Sequence, residues 1–123
     1  VRDDGAPGKL SMLYRRDREL VSRVRDHLRQ ALPELPPLAS VAAALQMTPR
    51  TLNRRLEDEG SSFRAIKDAL RRDIALSRIT KTAQPVAAIA AELGFADPST
   101  FFRAFVGWTG VSPSAYRRRL REA

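Results

Sequence analysis

The sequence has no cysteine. That removes disulfide staples and thiolate metal sites, and it permits a reducing compartment. The single histidine, His27, has no cysteine partners with which to build a zinc centre, so no metal or cofactor is expected. Aromatic residues make up only 7% of the chain, which suits a helical core of Leu, Val, Ile and Ala better than a β sandwich. Strand-type alternation is scarce. No apolar run approaches the roughly 20 residues that span a bilayer. There is no nucleophile–base pair and no glycine-rich phosphate loop, so the pattern argues against an enzyme. The opening, Val1 to Lys9, is too polar for a signal peptide, and residues 1–17 read as a flexible linker.

What the chain does have is positive charge. It carries 22 Lys and Arg against 14 Asp and Glu, a formal net charge of +8, with 43% hydrophobic residues to fill a core. The sequence pI is near 11.1. This is the electrostatic footprint of a protein that binds a polyanion.

Helical periodicity is nearly continuous. Leu20, Val21, Val24, Leu28 and Leu32 form one stripe, ended by Pro33, Pro36 and Pro37. A short helix follows with Leu38, Val41, Ala42 and Leu45 inward. Thr48-Pro49 then supplies an N-cap and a proline at the first helical position, for a helix with Leu52 and Leu56 inward that stops at Gly60. Ser62 caps a long helix over 63–81, with Phe63, Ile66, Leu70 and Ile74 inward and Arg64, Lys67, Arg71, Arg72 and Arg78 making much of the rest basic. Pro85 opens a short helix with Val86, Ile89, Ala90 and Leu93 inward, stopped by Gly94. Asp97-Pro98 repeats the cap-plus-proline signature, with Phe101, Phe105 and Trp108 inward and a stop at Gly110. Ser112-Pro113 opens a last helix with Tyr116 and Leu120 inward. The reading is an all-α chain of about seven helices.

Two helix pairs superpose along the sequence. Val41 matches Ile89 and Leu45 matches Leu93 at an offset of 48; Arg54 matches Arg103 and Leu56 matches Phe105 at 49; Gly60 matches Gly110 and Ile66 matches Tyr116 at 50. Each pair is a helix, a tight turn and a second, capped helix. The expected organisation is a first helix-turn-helix subdomain over 18–62, a linker helix over 63–81 and a second subdomain over 82–123. A short capped helix fits the major groove, about 12 Å wide. Its first turns then reach base edges while the preceding helix crosses the backbone. The outward, base-facing candidates are Arg50, Thr51, Asn53 and Arg54 in the first unit. In the second they are Ser99, Thr100 and Arg103, beside Pro98. Arg forks onto guanine and Asn onto adenine, whereas Ser and Thr discriminate weakly, so the first unit is expected to read sequence more strictly. The linker helix spans roughly 28 Å at 1.5 Å per residue. One turn of B-DNA is roughly 34 Å, close enough for two successive major grooves.

The run Ile89-Ala90, Leu93-Gly94-Phe95, Ser99, Phe101, Arg103-Ala104-Phe105, Trp108, Gly110, Ser112-Pro113 and Tyr116-Arg117 closely resembles the C-terminal DNA-binding domain of the AraC/XylS family of bacterial transcription regulators. Met47 to Leu56, with Glu59-Gly60 and Ser62-Phe63, looks like the branch that carries an N-terminal arabinose-binding-like effector domain. The resemblance covers about Arg18 to Arg121. It implies two helix-turn-helix units joined by a long helix, cytoplasmic binding to double-stranded promoter DNA and to the nucleoid, usually activation, and effector binding and dimerisation through a domain not in this sequence. By position it carries base reading to Arg50, Asn53 and Arg54, and to Pro98, Ser99, Thr100 and Arg103. Two departures matter. Val106-Gly107 stands where many members are basic, and Pro98 stands where a polar reader is common.

Other residues read more plainly. Met47, Phe95, Trp108 and Tyr116 sit at core spacing, and His27 is a surface or partly packed residue. Glu57-Asp58-Glu59 reads as a solvated run that repels DNA, with a contact to RNA polymerase as its alternative. Arg117, Arg118 and Arg119 read equally as phosphate contacts or as a solvated face favoured near a helix C-terminus. Pro98, Arg55, Arg117 and Arg118 are the weaker, phosphate-side candidates. Arg54 and Arg103 have intramolecular ion pairs as their alternative. At the level of the whole chain the alternative is a basic protein-interaction module.

Overall fold

The structure, a computed structural model, describes residues 18–122. The linker expected over 1–17 lies outside the described residues. Seven helices follow: α1 Glu19–Ala31, α2 Leu38–Ala44, α3 Pro49–Asp58, α4 Phe63–Lys81, α5 Val86–Glu92, α6 Pro98–Thr109 and α7 Pro113–Glu122. No strand occurs among the described residues. The chain divides into two compact units. Among the described residues, the first takes 18–30 together with Pro36–Lys67; the second takes Ala31–Leu35 and 68–122.

The first unit buries Leu20, Val21, Val24 and Leu28 of α1, Val41 and Ala42 of α2, Leu52 and Leu56 of α3, and Ile66 of α4. The second buries Ala75 and Ile79 of α4 with Ile89, Ala90, Leu93, Phe101 and Phe105, and packs Ile74, Leu76, Val86, Phe95, Trp108 and Tyr116 against them. Phe95, Phe101, Phe105, Trp108 and Tyr116 form one aromatic cluster with neighbouring centroids 5.3–6.5 Å apart in tilted or edge-on geometry. That arrangement sets ring edges against ring faces.

Both units make their turn the same way. After α2, the Met47 N–H donates to the Ala42 carbonyl and Gln46 N–H to Ala43; after α5, Phe95 N–H donates to Ala90 and Gly94 N–H to Ala91. Each is a Schellman closure, which needs one residue in the left-handed region. Gly94 takes it at φ +79, and Gln46 takes it at φ +61 with a side chain present. The closure after α3 is of the same type, with Ser61 N–H on Leu56 and Gly60 at φ +78.

Three expectations change. Glu59 is not part of a solvated run: its carboxylate accepts from Leu20 N–H at 3.0 Å and Val21 N–H at 2.8 Å, capping the N-terminus of α1 from the far end of α3. The first N–H groups of a helix have no internal partner, and a carboxylate there also meets the positive end of the helix dipole. Leu120 is 46% exposed rather than inward, in the last turn of α7, whereas Arg117 lies against the end of α4. On α4, burial continues past Leu70 through Ala75 and Ile79, while Ile74 and Phe63 are only half-buried.

Glu59→Ala is expected to cost about 1–3 kcal/mol in urea unfolding, the range of a charged hydrogen-bonding group, and to raise amide exchange first at Leu20 and Val21. Gly94→Ala is expected to cost about 2 kcal/mol or more. A Cβ there would have to adopt positive φ and would collide with the Pro33 carbonyl oxygen.

Candidate nucleic-acid interface

The two reading helices are built on one frame, offset by 49 residues. Thr48 is the N-cap of α3 and its Oγ1 accepts from Thr51 N–H at 3.1 Å. Asp97 is the N-cap of α6 and its Oδ1 accepts from Thr100 N–H at 2.8 Å. A proline follows each cap, where its missing N–H has no helical partner to lose. The Asp97 carboxyl is held below its ordinary range, chiefly by the Thr100 N–H, with the Thr100 hydroxyl next and a smaller attraction from Arg103.

These caps redirect two of the expected readers. Thr51 Oγ1 accepts from the Thr48 hydroxyl at 3.0 Å. Thr100 Oγ1 donates to Asp97 at 3.1 Å. Both threonines are half-buried and turned to their own caps. Arg50, Asn53 and Arg54 are exposed together on α3, at i, i+3 and i+4, which is one face of a helix. On α6 the equivalent positions are Ser99, Phe102 and Arg103, all exposed, with Pro98 exposed before them. Phe102 is the residue that sequence reasoning missed. The offset that pairs Arg54 with Arg103 also pairs Asn53 with Phe102, and that signal was available.

The weaker candidates separate. Arg55 is exposed, with Nη1 4.0 Å from the Met47 sulfur. Arg118 is exposed. Arg117 is turned inward: Nε donates to the Ile79 carbonyl at 3.2 Å, Nη1 to Gln84 at 2.7 Å and Nη2 to Arg78 at 3.4 Å. It satisfies the Ile79 carbonyl near the end of α4 and the Gln84 carbonyl just beyond it, and adds a longer bond to an Arg78 carbonyl that already accepts from Thr82 N–H.

Two further arginines are structural. Arg71 donates from Nε to the Leu93 carbonyl at 3.0 Å and from Nη2 to Gly94 at 3.2 Å, with its guanidinium 4.2 Å from the Phe95 ring centroid. Burial lowers its pKa, with Asp68 acting in opposition. It pins the carbonyls of the turn that aims α6. Arg78 forks onto Glu92, at 2.8 Å at the shortest, and Gln84 also donates to that carboxylate. The Glu92 carboxyl is held below its ordinary range, chiefly by this arginine hydrogen bond. Among the described residues no group of three or more His, Cys, Asp and Glu side chains could hold a metal ion, and no helix is long and apolar enough to cross a membrane.

Two capped reading helices, each set by a closed turn on a short supporting helix, define a tandem helix-turn-helix domain. Comparison with known proteins gives its kind. The family described as Helix-turn-helix domain matches residues 41–119. An HTH-type transcriptional regulator of Mycobacterium tuberculosis is 39% identical over 104 residues, covering 85% of this chain and 30% of that regulator. The C-terminal domain of AraT, a response regulator from Geobacillus stearothermophilus, superposes with a TM-score of 0.74 at 31% identity, covering 82% of this chain and 85% of that one. The DNA-binding domain of the global transcriptional factor AdpA, solved with a target DNA, superposes at 0.71 and 27% identity, covering 86% and 93%. The chain belongs to the AraC-type helix-turn-helix family of transcription-regulator DNA-binding domains, a class that binds rather than catalyses. It spans about a third of the length of the curated regulators it matches.

The depressed carboxyls set the acid response of the second unit. A group whose folded pKa lies below its unfolded one stabilises above the unfolded value and loses that contribution as pH falls through the folded one. For Glu92 and Asp97 the ordinary values are 4.5 and 3.8, so the loss begins as pH drops below the mid-4 region. Thermal unfolding at about pH 6 and about pH 3 is expected to show a larger acid drop for the wild-type chain than for the Glu92→Gln, Asp97→Asn double variant.

Proposed function

We propose that this domain binds double-stranded promoter DNA sequence-specifically, with α3 and α6 reading successive major grooves, as the DNA-binding part of a bacterial transcription regulator. The observation that carries this is the repeated frame. Two short helices, each capped and opened by a proline, present an arginine at the same exposed position, Arg54 and Arg103. A guanidinium there forks onto guanine O6 and N7. The target DNA bound by the AdpA domain supports the same reading for this chain.

The two helices are unequal readers. Arg50, Asn53 and Arg54 give α3 three side chains capable of bidentate contacts, the arginines donating twice and Asn53 donating once and accepting once. On α6 Arg103 stands as one strong donor beside Ser99, with Pro98 offering only apolar contact. Arg55 and Arg118 face the phosphates and anchor the domain without reading sequence. The net charge of +8 draws it to the duplex. Activation, contact with RNA polymerase, a cytoplasmic and nucleoid location, and effector control and dimerisation through a further N-terminal domain complete the reading.

Binding sites selected from a random duplex library give the test. Arg54→Ala is expected to weaken binding to the selected site by about 1–3 kcal/mol and relax preference at one base pair, and each phosphate contact should contribute about −0.9 to the slope of log affinity against log salt. Equal weakening on selected and random duplex would reduce Arg54 to an anchor. No preference for any selected site would favour a protein-interaction module instead.

A further inference from the structure

The aromatic side chains of the second unit fall into two groups. Phe95, Phe101, Phe105, Trp108 and Tyr116 pack in the cluster described above. Phe102 does not join them. It is 49% exposed, one of two large hydrophobic side chains so exposed among the described residues. The helix leaves no alternative: Phe101 points into the core, and the next residue along is turned about 100° away from it. An exposed phenyl ring is not by itself informative. Its position is. Phe102 stands three residues after Ser99 and one before Arg103, on the face that α3 uses for Arg50, Asn53 and Arg54. Pro98, Ser99, Phe102 and Arg103 together line an open depression of about 400 Å³. Two of those four residues are apolar, one is a hydroxyl and one a cation.

The major groove offers one apolar group, the C5 methyl of thymine, in a row of donors and acceptors. A ring and a proline beside an arginine complement that combination: methyl on one base pair, guanine or phosphate on its neighbour. A hydrocarbon ring makes no hydrogen bond, so it cannot replace Asn53 as an adenine reader. We propose that Phe102, with Pro98, reads a thymine methyl in the half-site facing α6, so that the second unit selects its sequence by apolar contact where the first selects by hydrogen bonds. The same surface accepts the methyl of 5-methylcytosine, which occupies the same place in the groove. This rests on the DNA-binding reading above and adds a specificity-determining residue to it.

The experiment replaces one methyl at a time. In a duplex selected for tight binding, each thymine is exchanged singly for deoxyuridine, which removes the methyl and leaves every hydrogen bond. One exchange in the half-site facing α6 is expected to weaken the wild-type chain about three- to fivefold, the transfer value of one buried methyl. Phe102→Ala is expected to lose that penalty and to bind the thymine and deoxyuridine duplexes equally. Phe102→Leu is expected to retain most of it. Cytosine exchanged for 5-methylcytosine at that position is expected to bind more tightly than cytosine for wild type alone. Circular dichroism and melting temperature separate these effects from unfolding, and an exposed residue is not expected to move either. Sequence-specific binding in which no thymine exchange matters, or in which the penalty survives Phe102→Ala, overturns the proposal and leaves the DNA-binding reading intact; a Phe102 that serves a protein partner would give that result. Loss of all sequence preference in the wild-type chain overturns both.

Discussion

Everything that gives these helices a direction passes through one backbone conformation. A short supporting helix must end, and a reading helix must leave at a sharp angle, within a few residues. The solution in both units is a single left-handed residue that lets two N–H groups fold back on the helix just ended. In the second unit Gly94 takes this conformation freely, and the Pro33 carbonyl packs where a side chain would lie. In the first unit Gln46 takes it at a steric cost of about 1–2 kcal/mol. The closure is the same, so the first turn keeps its shape because the packing of Val41, Ala42, Leu52 and Leu56 holds it. The second is also pinned from outside by Arg71, whose guanidinium holds two carbonyls of the turn.

Arginine therefore has two roles in this chain. Arg71 and Arg117 are turned inward onto backbone carbonyls of other elements, and Arg78, still partly exposed, is committed to the Glu92 carboxylate. Arg50, Arg54, Arg103 and Arg118 are exposed. Net charge cannot distinguish the two sets. A basic composition predicts attraction to a polyanion, but the surface that does the attracting is smaller than the residue count implies.

How much of this was legible in the sequence depends on range. The helices, the two cap-plus-proline starts, the glycine stops and the tandem repeat are local or periodic signals. Thr48-Pro49 and Asp97-Pro98 were readable because a cap and its N–H lie three residues apart. Glu59 was not, since its partners are 38 and 39 residues away, and an acidic run at a helix end resembles any solvated surface. Arg71 and Arg117 were misread for the same reason: their carbonyl partners belong to other elements. Leu120 looked buried by spacing, yet a helix's last turn often extends past what it packs on. At the candidate interface the shared exposure of Arg50, Asn53, Arg54 and Arg103 follows from helical spacing and the repeat. Thr51 and Thr100 look like readers because their residue type suits the groove, and only the hydroxyl geometry turns them to their caps. Phe102 was hidden by its neighbour, because a Phe-Phe pair in an apolar stretch reads as core.

The caps also leave the two reading helices with different electrical ends. A helix N-terminus carries roughly half a positive charge, a natural seat for an anion. Thr48 is neutral and leaves that charge standing at the start of α3. Asp97 is an exposed carboxylate whose ionised form the cap favours, and it cancels the same charge at the start of α6. To an approaching phosphate the first helix presents a positive tip and the second presents none. The same fold therefore opens its two second helices in different fields, positive at the start of α3 and cancelled at the start of α6.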